Sequence, residues 1–198
     1  IYGVDKKDGG RIFIDGQEVN IRSTQDAVKA GIVFLSEDRK EEGVLLDLPI
    51  SENITLGCLK KFRGFLGALN RKKEQDYVDK RVEQLTIKVG NVNNDVSSLS
   101  GGNQQKVAIA KMLARDAKIL ILDEPTRGVD VGAKREIYKI INEFAENGYS
   151  VVMISSEMPE VIGLCDRAII MRRGEVTGEL SRQELTEQNL ITYAMDVL

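Results

Sequence analysis

Two neighbouring carboxylates, Asp123 and Glu124, close the apolar run Ile119-Leu120-Ile121-Leu122 and are followed by Pro125-Thr126. Such a run reads as a buried strand delivering acid groups to the edge of a sheet, and strand ends are where open α/β sheets bind ligands. In a phosphoryl-transfer site the first carboxylate can hold Mg2+, directly or through water, while the second polarises the attacking water. Pro125 stiffens the exit, and Asp130 can reach back toward a site across an interface. Upstream stands Leu99-Ser100-Gly101-Gly102-Asn103-Gln104-Gln105-Lys106. Its Ser100-Gly101-Gly102 directly precedes a helix, so backbone N–H groups and the positive helix end make a place for an anion. A side chain larger than hydrogen there is expected to block the approach of a phosphate. Alone, the first segment is a solvated acidic turn and the second a flexible loop with a helix cap. Their occurrence together is what points to chemistry.

The elements that must position these groups follow from periodicity and turn residues. Ile1-Tyr2-Gly3 reads as a helix tail closed by glycine, and residues 11–16 as a strand running into an Asp-Gly turn. Ser23 or Thr24 can cap a short helix over 25–30, before Gly31 and the buried strand 32–35. Residues 36–98 change character to charged loops and helices, with Val78, Val82 and Leu85 on one helical face. After Gly102 the order is helix (103–115), strand (119–122), helix (133–147) and strand (151–154), which implies parallel strands with crossover helices. Ile137, Ile140, Ile141, Phe144 and Ala145 mark the apolar face of the third of these. Residues 168–171 and 176–180 form a hairpin, and a helix over 182–198 ends the chain.

Composition sets the bounds. With 198 residues, 42% hydrophobic and 30% charged, the chain belongs among globular proteins and has room for one sizeable core, or one core with a lobe. A net charge of −3 gives no electrostatic footprint for nucleic acid, which is not expected as a partner. Cys58 and Cys165 lack paired spacing and read as small buried apolar groups in a reduced compartment. No apolar run reaches the ~18 residues needed to span a bilayer. The Asn53-Ile54-Thr55 sequon is taken as a chance match, and the 37–42 charge run as a solvated loop.

Four segments together carry a family resemblance: Ser36-Glu37-Asp38-Arg39-Lys40, residues 99–106, residues 122–134, and Ile154-Ser155-Ser156-Glu157-Met158-Pro159-Glu160. With them the chain resembles an ABC transporter ATP-binding domain. More narrowly, it resembles the C-terminal ATPase half of the two-cassette ATPases that power bacterial ribose, galactose and other monosaccharide importers. The resemblance implies an α/β fold of the P-loop NTPase type: a mainly parallel sheet, a partial antiparallel β subdomain, an inserted helical subdomain, and an incomplete N-terminus. The parts would be 1–35 (partial β subdomain and core entry), 36–98 (hinge and helical subdomain) and 99–198 (signature helix, Walker B core and C-terminal hairpin and helix). It further implies Glu124 as catalytic group, Asp123 as Mg2+ ligand, and Ser100, Gly101, Gly102, Asn103 and Asp130 as the ATP-binding set. In the family, the 37–42 run lies in the hinge facing the membrane subunits.

Departures from the family pattern matter as well. No Gly-x-x-x-x-Gly-Lys-Ser/Thr loop occurs, the family's switch histidine falls on Ser156, and its glutamine falls on Ser36 beside Glu37. The chain has no histidine at all, and a serine hydroxyl cannot carry a positive charge near neutral pH. Ser156 reads equally well as a cap on a helix whose first turn contains Pro159. The resemblance thus implies a transport-coupled ATPase at the cytoplasmic face of the membrane, peripheral, with ATP and Mg2+ as cofactors. Its partners would be a second ATPase half packed head to tail, permease subunits and, indirectly, a sugar-binding protein. The alternative is a catalytically degenerate half that lends its signature loop to a partner ATP site, in which case loss of Glu124 leaves much of the activity.

Overall fold

The computed structural model describes residues 1–64 and 68–195. They belong to two compact units, Ile1–Val152 and Met153–Leu198.

In the first unit, β1 (Ile12–Ile14) and β2 (Gln17–Val19) pair antiparallel across Asp15 and Gly16. Both turn residues have positive φ, 51° and 76°, the geometry that favours Asp-Gly in two-residue hairpins. Ser23 caps α1 (Thr24–Lys29) by accepting the Asp26 N–H. After Gly31, β3 (Ile32–Leu35) runs parallel to β4 (Ile119–Asp123), with Ile32 opposite Ile119 and Leu35 opposite Leu122. The sheet continues to β5 (Ser150–Ile154), in the order β3-β4-β5. Leu120 and Leu122 are fully buried, so the strand that carries the carboxylates is fixed by the apolar run that precedes them.

Between β3 and β4 come a π-helical turn (Arg39–Gly43), α2 (Ile50–Thr55), a 3-10 helix (Leu56–Phe62) and α3 (Arg71–Gln84). A short 3-10 turn (Val96–Ser98) then leads into α4 (Gly101–Leu113). Asn53 of the chance sequon is fully buried. Its amide donates to the carbonyls of Leu45, Leu48 and Pro49 and accepts the Leu45 N–H at 2.8 Å, so it closes the 45–49 loop and has no room for a glycan. Past β4, α5 (Val131–Glu146) buries Ile137, Ile140, Ile141 and Phe144 of the face read from the sequence, while Ala145, expected on that face, is exposed.

In the second unit, α6 (Met158–Leu164) precedes the antiparallel hairpin β6 (Arg167–Arg172) and β7 (Glu175–Ser181). It ends in a 3-10 turn (Arg182–Glu184) and α7 (Glu187–Ala194). Ile170, Leu180, Leu185 and Leu190 form its core, and the half-buried Cys165 packs against them. Cys58 is buried in the first unit.

Four expectations need correction. Residues 1–3 are not helical: Tyr2 packs its ring 5.4 Å from that of Phe34, and Gly3, at φ 81°, sits against the backbone of Ser23. The last helix is not continuous from residue 182, because Ser181 with Glu184 forms a capping box and Thr186 then caps α7 separately. Residues 196–198 of that expected helix lie outside the described residues. The solvated-loop reading of 37–42 fails at Arg39, whose side chain turns inward. Lastly, α4 begins at Gly101, so both glycines belong to its first turn.

Lys106 is the one charged side chain on the buried stretch Gln104 to Ala110, which requires it to be paired. Its Nζ donates to Glu136 Oε2 at 2.7 Å and to the Thr86 carbonyl at 2.8 Å, tying α4 to α5 and to the end of α3. Lys106 is 1% exposed and Glu136 38%. Hydrogen bonds from Lys106 and then Lys88 hold the Glu136 carboxyl below its usual range. A depressed carboxyl contributes stability that is present above its unfolded pKa and lost as pH falls through the folded one. Glu136→Gln strands a buried ammonium, and we expect a loss of about 2 kcal/mol, below the fully buried limit because Glu136 is partly hydrated. Lys106→Met leaves only a partly exposed carboxylate and should stay within about 1 kcal/mol of wild type. Urea unfolding of both variants at neutral and acidic pH checks the asymmetry, and it should shrink in acid.

Candidate functional site

Asp123 is the last residue of β4, half-buried, with its carboxyl pushed above the usual range by burial and, second, by the Glu124 charge. Glu124 follows at φ 44°, a left-handed conformation that a non-glycine residue adopts at a cost of roughly 1–2 kcal/mol. Its carbonyl accepts the Arg127 N–H at 3.0 Å, closing a turn around Pro125 and the buried Thr126. Backbone strain of this kind concentrates at functional sites. Arg127 also forms an ion pair with Glu37, joining this turn to the segment after β3.

At the head of α4, Ser100 has extended backbone and makes no side-chain cap. Its hydroxyl instead accepts from Asn103 Nδ2 at 3.0 Å, while Asn103 Oδ1 accepts the Lys88 N–H at 2.9 Å. The first-turn N–H groups are therefore not closed by a side chain and remain suited to an anion. A cleft of about 180 Å3 opens beside them, lined by Ser100, Gly102, Asn103, Asp130, Lys88 and Glu136 among others. It lies between the N-terminal ends of α4 and α5. Asp130 Oδ1 caps α5 by accepting the Ala133 N–H at 2.9 Å.

The structure thus gathers Ser100, Gly102, Asn103 and Asp130 at one cleft, and leaves Asp123 and Glu124 outside its lining. A larger cleft of about 570 Å3 lies by Phe13, Lys118 and Tyr149, at the amino ends of β4 and β5. Ligands of open parallel sheets bind at the other end, and none of the candidate residues lines it.

The two glycines face their own chain. A Cβ on Gly102 would stand 2.4 Å from Ala133 Cβ, and one on Gly101 would meet Arg39 Nη2 and the Gly128 carbonyl, each at 3.3 Å. Glycine at 102 therefore has a packing role beside the expected one of admitting a phosphate: it lets α4 and α5 touch. Sequence reading also missed Lys88 and Glu136, which line the cleft without belonging to either segment. Ser156 is not the N-cap residue of α6, which is Glu157 and makes no side-chain cap. The Ser155 hydroxyl accepts the Glu157 N–H at 3.0 Å and donates to the buried Glu160 at 2.8 Å.

The residues present fit a divalent cation of the Mg2+ type. Such an ion needs only one or two carboxylates when phosphate oxygens complete its shell, and a nearby cation would relieve both the burial and the like charge that raise Asp123. Among the described residues no group of three or more ligating side chains forms a cage.

Residues 1–127 match the family described as ABC transporter. The chain belongs to that family. Among its relatives are the ribose import ATP-binding protein RbsA of Caldanaerobacter subterraneus subsp. tengcongensis, 48% identical over 195 residues, and RbsA of Bacillus subtilis, 47% over 194. The arabinose import ATP-binding protein AraG of Paraburkholderia xenovorans is 46% identical over 196 residues. Each alignment takes in 98% of this chain but only 38–39% of the relative, so the chain spans about two-fifths of the length of these ABC proteins. A solved ATP-binding cassette, in a dimeric post-hydrolysis state bound to ADP and Pi, superposes with a TM-score of 0.76 at 24% identity, covering 92% of this chain and 77% of the cassette. A nucleotide-free cassette gives 0.78 at 22%, covering 98% and 79%. These likenesses establish the ABC ATPase fold: an α/β core with a parallel sheet and antiparallel hairpins.

Proposed function

We propose that the chain is the ATP-binding part of a bacterial-type sugar importer, coupling ATP binding and hydrolysis to monosaccharide uptake. The observation that carries this is the pairing of an α4 N-terminus left without a side-chain cap with a strained carboxylate pair at the end of β4. It stands in a sequence 46–48% identical along 98% of its length to ribose and arabinose import ATP-binding proteins. When bound, Mg2+ would supply charge neutralisation on the phosphates. Asp123 would hold it, Glu124 would orient and polarise the attacking water, and Ser100, Gly101, Gly102, Asn103 and Asp130 would form the surface that meets a nucleotide phosphate.

Asp123 and Glu124 lie outside the cleft of the signature residues, which supports a head-to-tail pairing with a second ATPase half. In that pairing one half supplies the α4 end and the other the carboxylates of a given site. Within this reading the chain corresponds to the C-terminal half of its longer relatives, works at the cytoplasmic membrane face against permease subunits, and receives sugar through a separate binding protein. Among the described residues no helix is long and apolar enough to cross a membrane. The division into 1–35, 36–98 and 99–198 is kept as part of the proposal. The degenerate-half alternative draws no support from relatives named for ATP binding and is not carried forward.

The test is uptake of labelled ribose and arabinose, together with ATP turnover, in vesicles holding the transporter assembled from the full polypeptide. We expect uptake of at least one pentose or a related monosaccharide that stops when Mg2+ or ATP is withdrawn. The chain alone is the control and should bind Mg-ATP weakly, since its 198 residues contain no phosphate loop. An assembled transporter that turns over ATP but moves no monosaccharide would overturn the sugar assignment.

A further inference from the structure

Arg39 is not used by the site as described, yet it lies among the segments that build it. It opens the π-helical turn Arg39–Gly43, a rare geometry that recurs at functional positions. Its nearest acids are engaged elsewhere: Asp38 Oδ1 accepts the N–H groups of Lys40 and Glu41, each at 3.1 Å, and Glu37 pairs with Arg127. The guanidinium turns toward the first turn of α4. A Cβ placed on Gly101 would have Arg39 Nη2 and the Gly128 carbonyl oxygen as neighbours, both at 3.3 Å, so the three groups crowd one point. The side chain as a whole is half-buried, but its Nε and Nη1 are shut off from solvent and donate to nothing among the described residues.

Buried donors are nearly always paired, and a desolvated cation without partners weakens a fold. Burial accordingly drives the Arg39 pKa down, with Asp38 acting the other way. A positive charge behind a helix N-terminus is unfavourable for a second reason, because the helix end is itself positive. Both penalties reverse when an anion arrives at that end.

Resting on the ATP reading above, we propose that Arg39 is a positioning residue for that anion. It sets the spacing between Gly101 and the Gly128 turn and adds positive potential behind the first-turn N–H groups of α4, while lowering the stability of the free chain. Residues retained for function against stability show a recognisable signature, in which removal strengthens the fold and weakens activity.

The experiment compares wild type with Arg39→Met, Arg39→Lys and Arg39→Ala. The thermal midpoint is read on the chain, and ATP turnover on the transporter assembled from the full polypeptide. We expect Arg39→Met to raise the midpoint by about 2–4 °C and to lower turnover at saturating Mg-ATP at least about tenfold, as misplaced phosphate contacts do. Arg39→Lys should keep part of the turnover, and added guanidinium ion should restore part of it to Arg39→Ala, which a purely structural role would not allow. A midpoint that falls together with turnover would make Arg39 a structural residue and overturn the proposal, as would unchanged turnover in Arg39→Met. Absence of turnover in the wild-type transporter would instead sink the ATP reading, and this proposal with it.

Discussion

Gly102→Ala is expected to destabilise the chain by about 3 kcal/mol, the upper end of what one added methyl costs in a tightly packed place. The added Cβ would stand 2.4 Å from Ala133 Cβ, and both atoms are fixed to helix backbones, so no side-chain rotation relieves the overlap. The α4 and α5 ends must separate, and with them the cleft that holds Ser100, Asn103 and Asp130. The same geometry names the remedy. Ala133→Gly alone should cost at most about 1 kcal/mol through lost helix propensity, and the double variant should return to near wild-type stability. Urea unfolding of the four proteins closes a double-mutant cycle with a coupling of about 3–4 kcal/mol. In the assembled transporter we expect ATP turnover to follow, lost in Gly102→Ala and regained in the double variant. A double variant that is stable but inactive would mean that glycine at 102 is needed by the ligand, as the sequence alone had suggested. A single variant as stable as wild type would refute the packing argument.

Gly102 also shows where reading the sequence stops. The apolar runs at 32–35 and 119–122 and the face of Ile137, Ile140, Ile141 and Phe144 needed only periodicity, because burial on one side imprints a repeat. Asp-Gly at 15–16 and Ser23 needed only local turn and cap chemistry. The candidate site was legible as residue types, since phosphate and metal chemistry asks for glycine, helix ends and carboxylates. What each residue touches was not legible. The direction of a glycine's absent Cβ, the inward turn of Arg39 and the pairing of Lys106 with Glu136 are all set by segments distant in sequence. Two of these left a trace that could have been read: a lysine beside the apolar stretch Val107 to Ala110 of a buried helix demands a partner, and an arginine in an acidic run has a choice of burying itself.

Glu124→Gln is expected to lower ATP turnover of the assembled transporter by roughly 10²–10⁴-fold, the range for losing a positioned general base. Gln keeps the size and most of the hydrogen-bonding reach of the side chain and removes the basicity. Its fold should be unaffected, since the turn is held by the Glu124 carbonyl and the Arg127 N–H rather than by the carboxylate alone. Glu124→Gly sharpens the comparison. At φ 44° the native residue stores strain that glycine does not feel, so this variant should be no less stable than wild type, the relief offsetting glycine's greater freedom when unfolded. It should nonetheless be as inactive as Gln. Removing the Glu124 charge also takes away the smaller of the two influences that raise Asp123. The Asp123 carboxyl should then titrate lower than in wild type and still above its usual range, because burial remains. An acid whose folded pKa is raised favours folding below its unfolded pKa and loses that contribution as pH rises through the folded one. Glu124→Gln should therefore narrow the pH window over which the chain weakens on leaving acid. Retention of more than about a tenth of wild-type turnover by Glu124→Gln would remove Glu124 from the base role. The strain at 124 would then need another account, with the carboxylates of a partner half as the place to look for the base.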